Sequence, residues 1–274
     1  IDISKGGLAR LCNLTLSSPV KGIRAGVGAT LDIKNISITN SQQEAITLLG
    51  AKAKVDNLTL TGSKSFGILV NNGMLDITNS SISDSTKEGI QVGMGGTLDA
   101  NHISVTNSQA DGISFWGGKG YINNATITGS KNAGIRSNIG MLQILNSTIS
   151  GSTNYGITSH QQSAINLSGA VIIENNSVGI SLTNSTLMQY DYTANSYIRN
   201  NSSYEIGATM SSIGLSNVVV GGTSGSDEIY LSQGSILRIE AGTSITGKIV
   251  CDGSLNSGKF IKDTIALNPT TSGC

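Results

Sequence analysis

Short runs of alternating apolar and polar residues return at a fixed interval along most of the chain. Their clearest marker is a small residue followed by isoleucine, found at Ile23, Ile46, Ile68, Ile90, Ile113, Ile135, Ile157 and Ile180. Successive marker isoleucines lie 22 or 23 residues apart, and no helical periodicity accompanies them. A repeat this regular predicts a solenoid in which each interval forms one coil.

Each interval contains three strand-like runs. The first is typified by Leu58-Thr59-Leu60, the second begins at the marker isoleucine, and the third is typified by Leu75-Asp76-Ile77. Alternation with polar neighbours indicates strands with one buried face. We therefore predict an all-β parallel β-helix of about ten coils, with three strands per coil and about 4.8 Å between coils. The predicted inward columns of the first run are Ile36, Leu58 and Ile103, and Ile38, Leu60, Ile82, Val105, Ile127 and Ile149.

The repeat loosens after Ser163. An insertion rich in tyrosine lengthens the interval from Ile180 to Ile206 to 26 residues, and the next interval, to Ile229, is again 23 residues. We predict that residues 1–250 form the β-helix and that residues 251–274 form a capping tail, because an uncapped terminal coil would expose strand edges.

Composition and charge exclude some classes of function. Charged residues make up 12% of the chain, the formal net charge is zero and the pI is near 6.9. Nucleic-acid binding usually needs a clustered basic face, so no nucleic-acid partner is expected. No apolar run reaches the length of about 18 residues needed to cross a membrane, so no membrane insertion is expected. Ile1 starts directly on repeat-like sequence, so we expect any export signal to have been removed or to lie outside this sequence.

The three cysteines are Cys12, Cys251 and Cys274. A disulfide between Cys251 and Cys274 would close a loop of about 23 residues and contribute roughly 3 kcal/mol in the chain-entropy model. We predict this disulfide in an oxidising compartment, with Cys12 unpaired; the alternative is three free thiols in a reducing cell.

The repeated Asn-x-Ser/Thr-Ile/Leu unit, followed by Gly-Ile and a glycine turn, resembles the right-handed parallel β-helix proteins of the pectate-lyase-like superfamily. The resemblance covers roughly residues 13–250 and implies a right-handed solenoid. That superfamily includes polysaccharide lyases, glycoside hydrolases, epimerases, phage tailspikes and non-catalytic surface or passenger domains. Fold alone does not choose among them.

Two acids and one arginine are the candidate catalytic group. Glu88 and Asp111 occupy the column before the marker and lie one coil apart, and Arg136 projects from the next coil. The resemblance implies that a lyase needs an acidic cation site with a basic proton acceptor, and that a hydrolase needs clustered carboxylates. If the chain is an enzyme, Glu88, Asp111 and Arg136 are the predicted catalytic residues.

A second pair of acids, Asp76 and Asp99, would stack about 5 Å apart on the third run. That spacing suits a calcium site or a catalytic pair, but Lys54 is the neighbour of Asp76 on the other side. A solvated charge ladder is the alternative, and no cofactor is expected apart from this weak calcium candidate.

The position three residues after the marker isoleucine gathers chemistry that is rare in this chain. Trp116, Asn138 and His160 occupy it on consecutive coils, and nearby columns add Asp111, Arg136 and Tyr155. Aromatic faces with hydrogen-bonding neighbours suit sugar rings, so these six residues are the predicted ligand-binding strip. The alternative is that Trp116 packs under a turn and His160 is simply solvated.

Outward positions of the first run form a double column of serine and threonine over seven coils. The column reads Thr15, Ser17, Ser37, Thr39, Thr59, Thr61, Ser81, Ser83, Ser104, Thr106, Thr126, Thr128, Thr148 and Ser150. It resembles ice-binding faces and glycosylated adhesin passengers, although β-favouring residues on a solvated strand explain it equally. Sequons at Asn13, Asn35, Asn57, Asn124 and Asn146 coincide with the repeat and indicate little about glycosylation.

The leading hypothesis is a secreted or surface-exposed, non-catalytic β-helix that presents a lateral face to a polysaccharide or surface glycan. The rival hypothesis is a carbohydrate-active enzyme, either a lyase, a hydrolase or an epimerase. An ice-binding-like Ser/Thr face is a third alternative. The oligomeric state is not predicted.

Overall fold

The chain forms a parallel β-solenoid of about eleven turns in the computed structural model, which describes residues 1–190, 194–222, 227–252, 259–262 and 270–272. The predicted fold class is confirmed, with one more turn than expected. No helix in the described part of the chain is long and apolar enough to span a membrane. In chain order the strands are β1 Asp2–Ile3, β2 Leu8–Ser17, β3 Ile23–Ala25, β4 Thr30–Thr39, β5 Ile46–Leu49, β6 Lys52–Thr61, β7 Ile68–Asn71, β8 Met74–Ser83, β9 Ile90–Val92, β10 Thr97–Thr106, β11 Ile113–Trp116, β12 Lys119–Asn123, β13 Thr126–Thr128, β14 Ala133–Asn138, β15 Met141–Leu145, β16 Thr148–Ser150, β17 Tyr155–His160, β18 Ala164–Ser168, β19 Ile172–Glu174, β20 Val178–Thr183, β21 Thr186–Tyr190, β22 Ser196–Arg199, β23 Tyr204–Thr209, β24 Ser212–Ser216, β25 Val218–Val220, β26 Asp227–Ser232, β27 Ile236–Ile239, β28 Ser244–Ile245, β29 Lys248–Cys251, β30 Lys259–Lys262 and β31 Thr270–Ser272.

The second predicted run builds one continuous sheet of 13 parallel strands, here called the lateral sheet. Its order is β1, β3, β5, β7, β9, β11, β14, β17, β20, β23, β26, β29 and β31. The marker isoleucines pair with each other from coil to coil, as Ile46 does with Ile68 and Ile68 with Ile90. Pairing of residues one repeat apart is the predicted register.

The third and first predicted runs join into single strands in the early coils. β2, β4, β6, β8 and β10 each span ten residues and contain both runs. One residue in the middle of each strand has positive φ, for example Asn35 at 54° and Asn57 at 57°. Asparagine tolerates this left-handed conformation, so the chain bends there and continues as strand. From β12 onward the two runs are separate strands, which gives the predicted three per coil.

The core lies inside the solenoid and consists of stacked aliphatic side chains. All eight marker isoleucines and all members of the predicted inward columns are buried. Phe115 is the bulkiest fully buried side chain, and it occupies space left by Gly120, where a Cβ would lie 2.4 Å from the phenyl ring. Among the side chains that the structure describes, the core is therefore a set of aliphatic ladders with one aromatic substitution.

Glycines before the marker isoleucines are required by close packing. A Cβ at Gly112 would lie 2.6 Å from Ile127 Cγ2 and 2.7 Å from the carbonyl oxygen of Gly134. Gly112 is not among the residues with positive φ. Close approach of a neighbouring coil, and not a positive φ, is therefore what requires glycine at this position.

A polar column runs inside the solenoid beside those glycines. Its first six members are serines, all buried, whose hydroxyl oxygens have no hydrogen-bond partner in the described protein: Ser41, Ser63, Ser85, Ser108, Ser130 and Ser152. These hydroxyls therefore do not bond to one another along the axis. Side-chain bonding along the axis begins at the next coils, where the Ser152 N–H donates to Asn176 Oδ1 and the Asn176 N–H donates to Asn201 Oδ1, each at 2.9 Å.

The predicted capping tail is described only in part. β30 pairs in parallel with β27, and β31 pairs in parallel with β29. Cys12 is free and exposed. Cys251 is buried, whereas Cys274 lies outside the described residues, so the Cys251–Cys274 disulfide stays a prediction, as does the boundary at residue 250.

Candidate functional site

The predicted binding residues lie on the outer face of the lateral sheet. Trp116, at the end of β11, pairs with Asn138 on β14, and Asn138 pairs with His160 on β17. Tyr155 pairs with Ala133 at the other end of β14 and β17. The register therefore places the predicted column on three consecutive coils. We call Asp111, Trp116, Arg136, Asn138, Tyr155 and His160 the lateral strip.

Asp111 and Arg136 form a largely buried ion pair at one side of the strip. Arg136 Nε donates to Asp111 Oδ2 at 2.6 Å, and the side chains are 22% and 4% exposed. Asp111 Oδ1 also accepts from Asn132 Nδ2 at 2.6 Å and from the Ala133 backbone N–H at 3.0 Å. The carboxylate thus has the charged donor on one oxygen and two neutral donors on the other, which holds the guanidinium in a fixed place on the sheet.

Glu88 lies one coil before Asp111 and is half-buried. Burial raises the pKa of the Glu88 carboxyl, and the negative charge of Asp111 raises it further, against the lowering effects of a backbone hydrogen bond, Lys87 and Arg136. A carboxyl with a raised pKa keeps its proton to higher pH than an ordinary glutamate, which suits a general acid. Glu88, Asp111 and Arg136 are therefore close enough to influence each other electrostatically, and their catalytic role stays a prediction.

The other side of the strip is aromatic and polar. Trp116 is 44% exposed, so its ring does not pack under a turn. Asn138 is buried. His160 is partly exposed, and its Nε2 lies 3.1 Å from Thr158 Oγ1. Burial lowers the pKa of His160, and the charge of Arg136 lowers it further, so the imidazole is neutral at neutral pH.

Two tyrosines farther along the same face were not predicted. Tyr204 on β23 lies in the column of Tyr155, two coils away through Val178. Its ring centroid is 6.4 Å from that of Tyr230 on β26. One feature of the sequence indicates Tyr204, which stands two residues before Ile206 as Tyr155 stands two residues before Ile157.

The weak metal candidates Asp76 and Asp99 are paired neighbours on β8 and β10. Burial raises the pKa of Asp99, and the charge of Asp76 raises it further. Asp76 also pairs with Lys54 of the preceding coil. Within the described residues, no group of three or more His, Cys, Asp or Glu side chains is placed to hold a metal ion. The calcium site is not supported by a third ligand.

The Ser/Thr double column is in register, as Ser104 with Thr126 and Thr126 with Thr148 show. The column ends at the next coil, where Thr148 and Ser150 pair with Ile172 and Glu174.

The sequon asparagines are the residues of positive φ at the strand bend, and their amides bond along the axis. Asn57 Nδ2, for example, donates to Asn35 Oδ1 at 2.9 Å. Bend asparagines followed by outward Ser or Thr therefore account for the sequons.

Comparison with known proteins agrees with this architecture. The sequence matches the profile described as right handed beta helix region over residues 21–202. The chain belongs to this right-handed β-helix family. A search of curated proteins finds no match.

Solved structures of similar fold include an epimerase module and two phage tailspikes. The A-module of the Azotobacter vinelandii mannuronan C-5 epimerase AlgE4 has a TM-score of 0.56 at 12% identity, covering 99% of this chain and 90% of that chain. The gp42 tailspike of Acinetobacter phage vb_AbaP_AS12 has a TM-score of 0.55 at 11% identity, covering 98% and 58%. The enzymatically active domain of bacteriophage CBA120 tailspike protein 2 has a TM-score of 0.55 at 12% identity, covering 91% and 43%. This chain thus spans little more than half of one tailspike chain and less than half of the other, and the likeness at these identities is one of fold.

Proposed function

We propose that this chain is a secreted or surface-exposed β-helix that binds a glycan along the outer face of its lateral sheet, in the manner of an adhesin or structural module. One observation carries the proposal. Trp116, Asn138 and His160 stack on three consecutive coils beside the Asp111–Arg136 ion pair.

The chemistry of the lateral strip suits a sugar ring. Trp116 presents a large apolar surface to water at 44% exposure, and the CH groups of a sugar face would cover it favourably. Arg136, on the coil after Trp116, and His160, one coil farther, offer polar groups to the hydroxyls of the sugar. The ion pair and the parallel strands hold these groups in place before a ligand arrives, which lowers the ordering cost of binding.

The comparisons support the same class of ligand in general terms. The epimerase that shares the fold is named for action on mannuronan, and two tailspikes share it as well. Parallel β-helices therefore serve glycan chemistry in other proteins, although fold alone does not assign it here.

Trp116 is the only tryptophan, so its fluorescence reports on the strip directly. We expect a saturable change in emission when a panel of soluble polysaccharides is titrated, and loss of binding in Trp116→Ala. Tyr121→Ala is the matched control, because Tyr121 is an exposed aromatic residue on the other sheet, in β12. Unchanged emission at saturating polysaccharide, together with full binding by Trp116→Ala, would exclude the strip as the site.

A second candidate function is cleavage of a glycosidic bond, favoured by the raised pKa of Glu88 beside Asp111. Glu88 would donate a proton to the leaving oxygen, and Asp111 would act as the second carboxylate. Release of reducing ends from a bound polysaccharide tests it. Glu88→Gln should abolish release, and Glu44→Gln, two coils away in the same column, should not. Binding without any release of reducing ends would exclude cleavage.

A further inference from the structure

We infer that the lateral sheet carries a second sugar-binding surface, the tyrosine platform formed by Tyr155, Tyr204 and Tyr230, and that it takes a neutral polysaccharide. This inference rests on the proposed function and specifies the class of its ligand. The platform lies several coils beyond Trp116, on the same outer face.

Packing at Gly207 holds the Tyr204 ring against the sheet. A Cβ added at Gly207 would lie 2.4 Å from Cε2 and 3.1 Å from Cζ of Tyr204. On the outer face, Gly207 pairs with Ser181 of the preceding coil and with Tyr230 of the following coil. Because Gly207 has no side chain, the ring covers the backbone of β23 and keeps its other face turned away from the sheet.

Tyr230 extends this surface to the next coil. It is 37% exposed, and its ring is tilted by 31° to that of Tyr204 at a centroid distance of 6.4 Å. Burial raises the pKa of Tyr204, and the neighbouring Tyr155 and Tyr230 raise it further, so its phenol stays protonated and uncharged. Two adjacent aromatic faces with neutral hydroxyls are suited to the apolar faces of successive sugar units.

The outer faces of β17, β20 and β23, which carry two of the three tyrosines, have no formal charge. The outward side chains of β17, β20 and β23 are Tyr155, Thr158, His160, Val178, Ser181, Thr183, Tyr204 and Thr209. The lowered pKa of His160 keeps its imidazole neutral. Glu205 of β23 is fully buried and does not reach this face. A polyanionic chain would find no cation on these three strands to offset the loss of its hydration, so a neutral chain is favoured.

A cation lies at each end of this surface. Lys248 of β29 pairs in register with Asp227 of β26, the strand of Tyr230. Arg136 lies at the end next to Thr158, and its guanidinium is bonded to Asp111 at 2.6 Å. From the coil of Asp111 to the coil of Tyr230 the sheet advances five steps, or about 24 Å at roughly 4.8 Å per coil. The lateral strip and the tyrosine platform together can therefore contact several consecutive sugar units of one chain lying along the axis.

Affinity electrophoresis in gels containing one polysaccharide at a time tests the inference. The neutral probes are dextran, galactomannan and xyloglucan, and the acidic probes are alginate and polygalacturonate. We expect retardation by at least one neutral probe and none by the acidic ones. Tyr230→Ala, an exposed change, and Tyr204→Ala should each weaken retardation by about five- to tenfold, as expected for loss of one aromatic contact.

Gly207→Ala is the sharpest variant, because it alters no polar group and displaces only the Tyr204 ring. It should weaken neutral-probe binding as Tyr204→Ala does, whereas Tyr204→Phe and the control Tyr121→Ala should retain it. Circular dichroism of every variant verifies the fold, and Tyr230→Ala decides the question if Gly207→Ala is unfolded.

The possible outcomes separate this inference from the proposed function. Retardation by acidic probes alone, lost in Trp116→Ala, would overturn the inference and leave the proposed function standing. Neutral-probe binding that depends on Trp116 but not on Tyr204 or Tyr230 would do the same. Absence of retardation by every probe would overturn both.

Discussion

Removing the carboxylate of Asp111 should destabilise the middle coils strongly. Asp111→Ala leaves the Arg136 guanidinium, only 22% exposed, without its carboxylate, and it leaves the Ala133 N–H without its acceptor. Breaking a buried ion pair costs about 3–5 kcal/mol, and an orphaned buried donor costs about 1–3 kcal/mol. Arg136 can turn partly toward water, which relieves some of the cost. We therefore expect a loss of about 3 kcal/mol in the free energy of unfolding.

Urea unfolding followed by Trp116 fluorescence measures this loss, because Trp116 lies on the coil of Asp111. The matched control is Asp32→Ala. Asp32 also accepts from an arginine Nε, that of Arg10 at 2.9 Å, but the side chains are 78% and 45% exposed. An exposed pair contributes at most about 1 kcal/mol. Equal destabilisation by the two variants would refute the assignment of Asp111 as the buried anchor of the strip.

Three further outcomes follow from the structure. Burial raises the pKa of the Glu205 carboxyl above its ordinary 4.5. The stability of the wild-type protein should therefore fall as the pH rises from 4.5 through the pKa of Glu205 in the folded state, and melting curves of Glu205→Gln should lack this contribution to the pH dependence. Gly112→Val should lower the melting temperature, at a cost of about 1–3 kcal/mol or more, because its Cβ collides with the next coil. Thiol titration of the unreduced, denatured protein should find one thiol, that of Cys12, and three thiols would contradict the Cys251–Cys274 disulfide.

The solenoid could be predicted because its pattern is periodic. Each marker isoleucine is buried in the register that the spacing predicts, and Trp116, Asn138 and His160 are aligned for the same reason. The fusion of two runs into one strand was missed, because it depends on an asparagine such as Asn57 bending the chain without ending the strand.

The hydrogen bonds around Asp111 could not be predicted from the sequence. The repeat spacing predicts that Asp111 and Arg136 lie on neighbouring coils, but the bonds that Asn132 and Ala133 donate to Asp111 depend on the path of the turn. The tyrosine platform was obscured by the longer interval before Ile206.

Two buried glutamates could also have been predicted from the repeat. Glu205 and Glu228 stand immediately before Ile206 and Ile229, in the column that holds glycine in most earlier coils. Both are buried. The change from glycine to glutamate marks the place where the interior of the solenoid becomes more polar.

The most direct test of the account is a crystal structure of the protein with an oligosaccharide prepared from whichever polysaccharide it retains. We predict that the sugar chain lies along the outer face of the lateral sheet, with rings on Trp116 and on Tyr204 and polar contacts at Arg136 and His160. A sugar chain bound instead to the Ser/Thr double column, or to the charged face around Asp76, would contradict it.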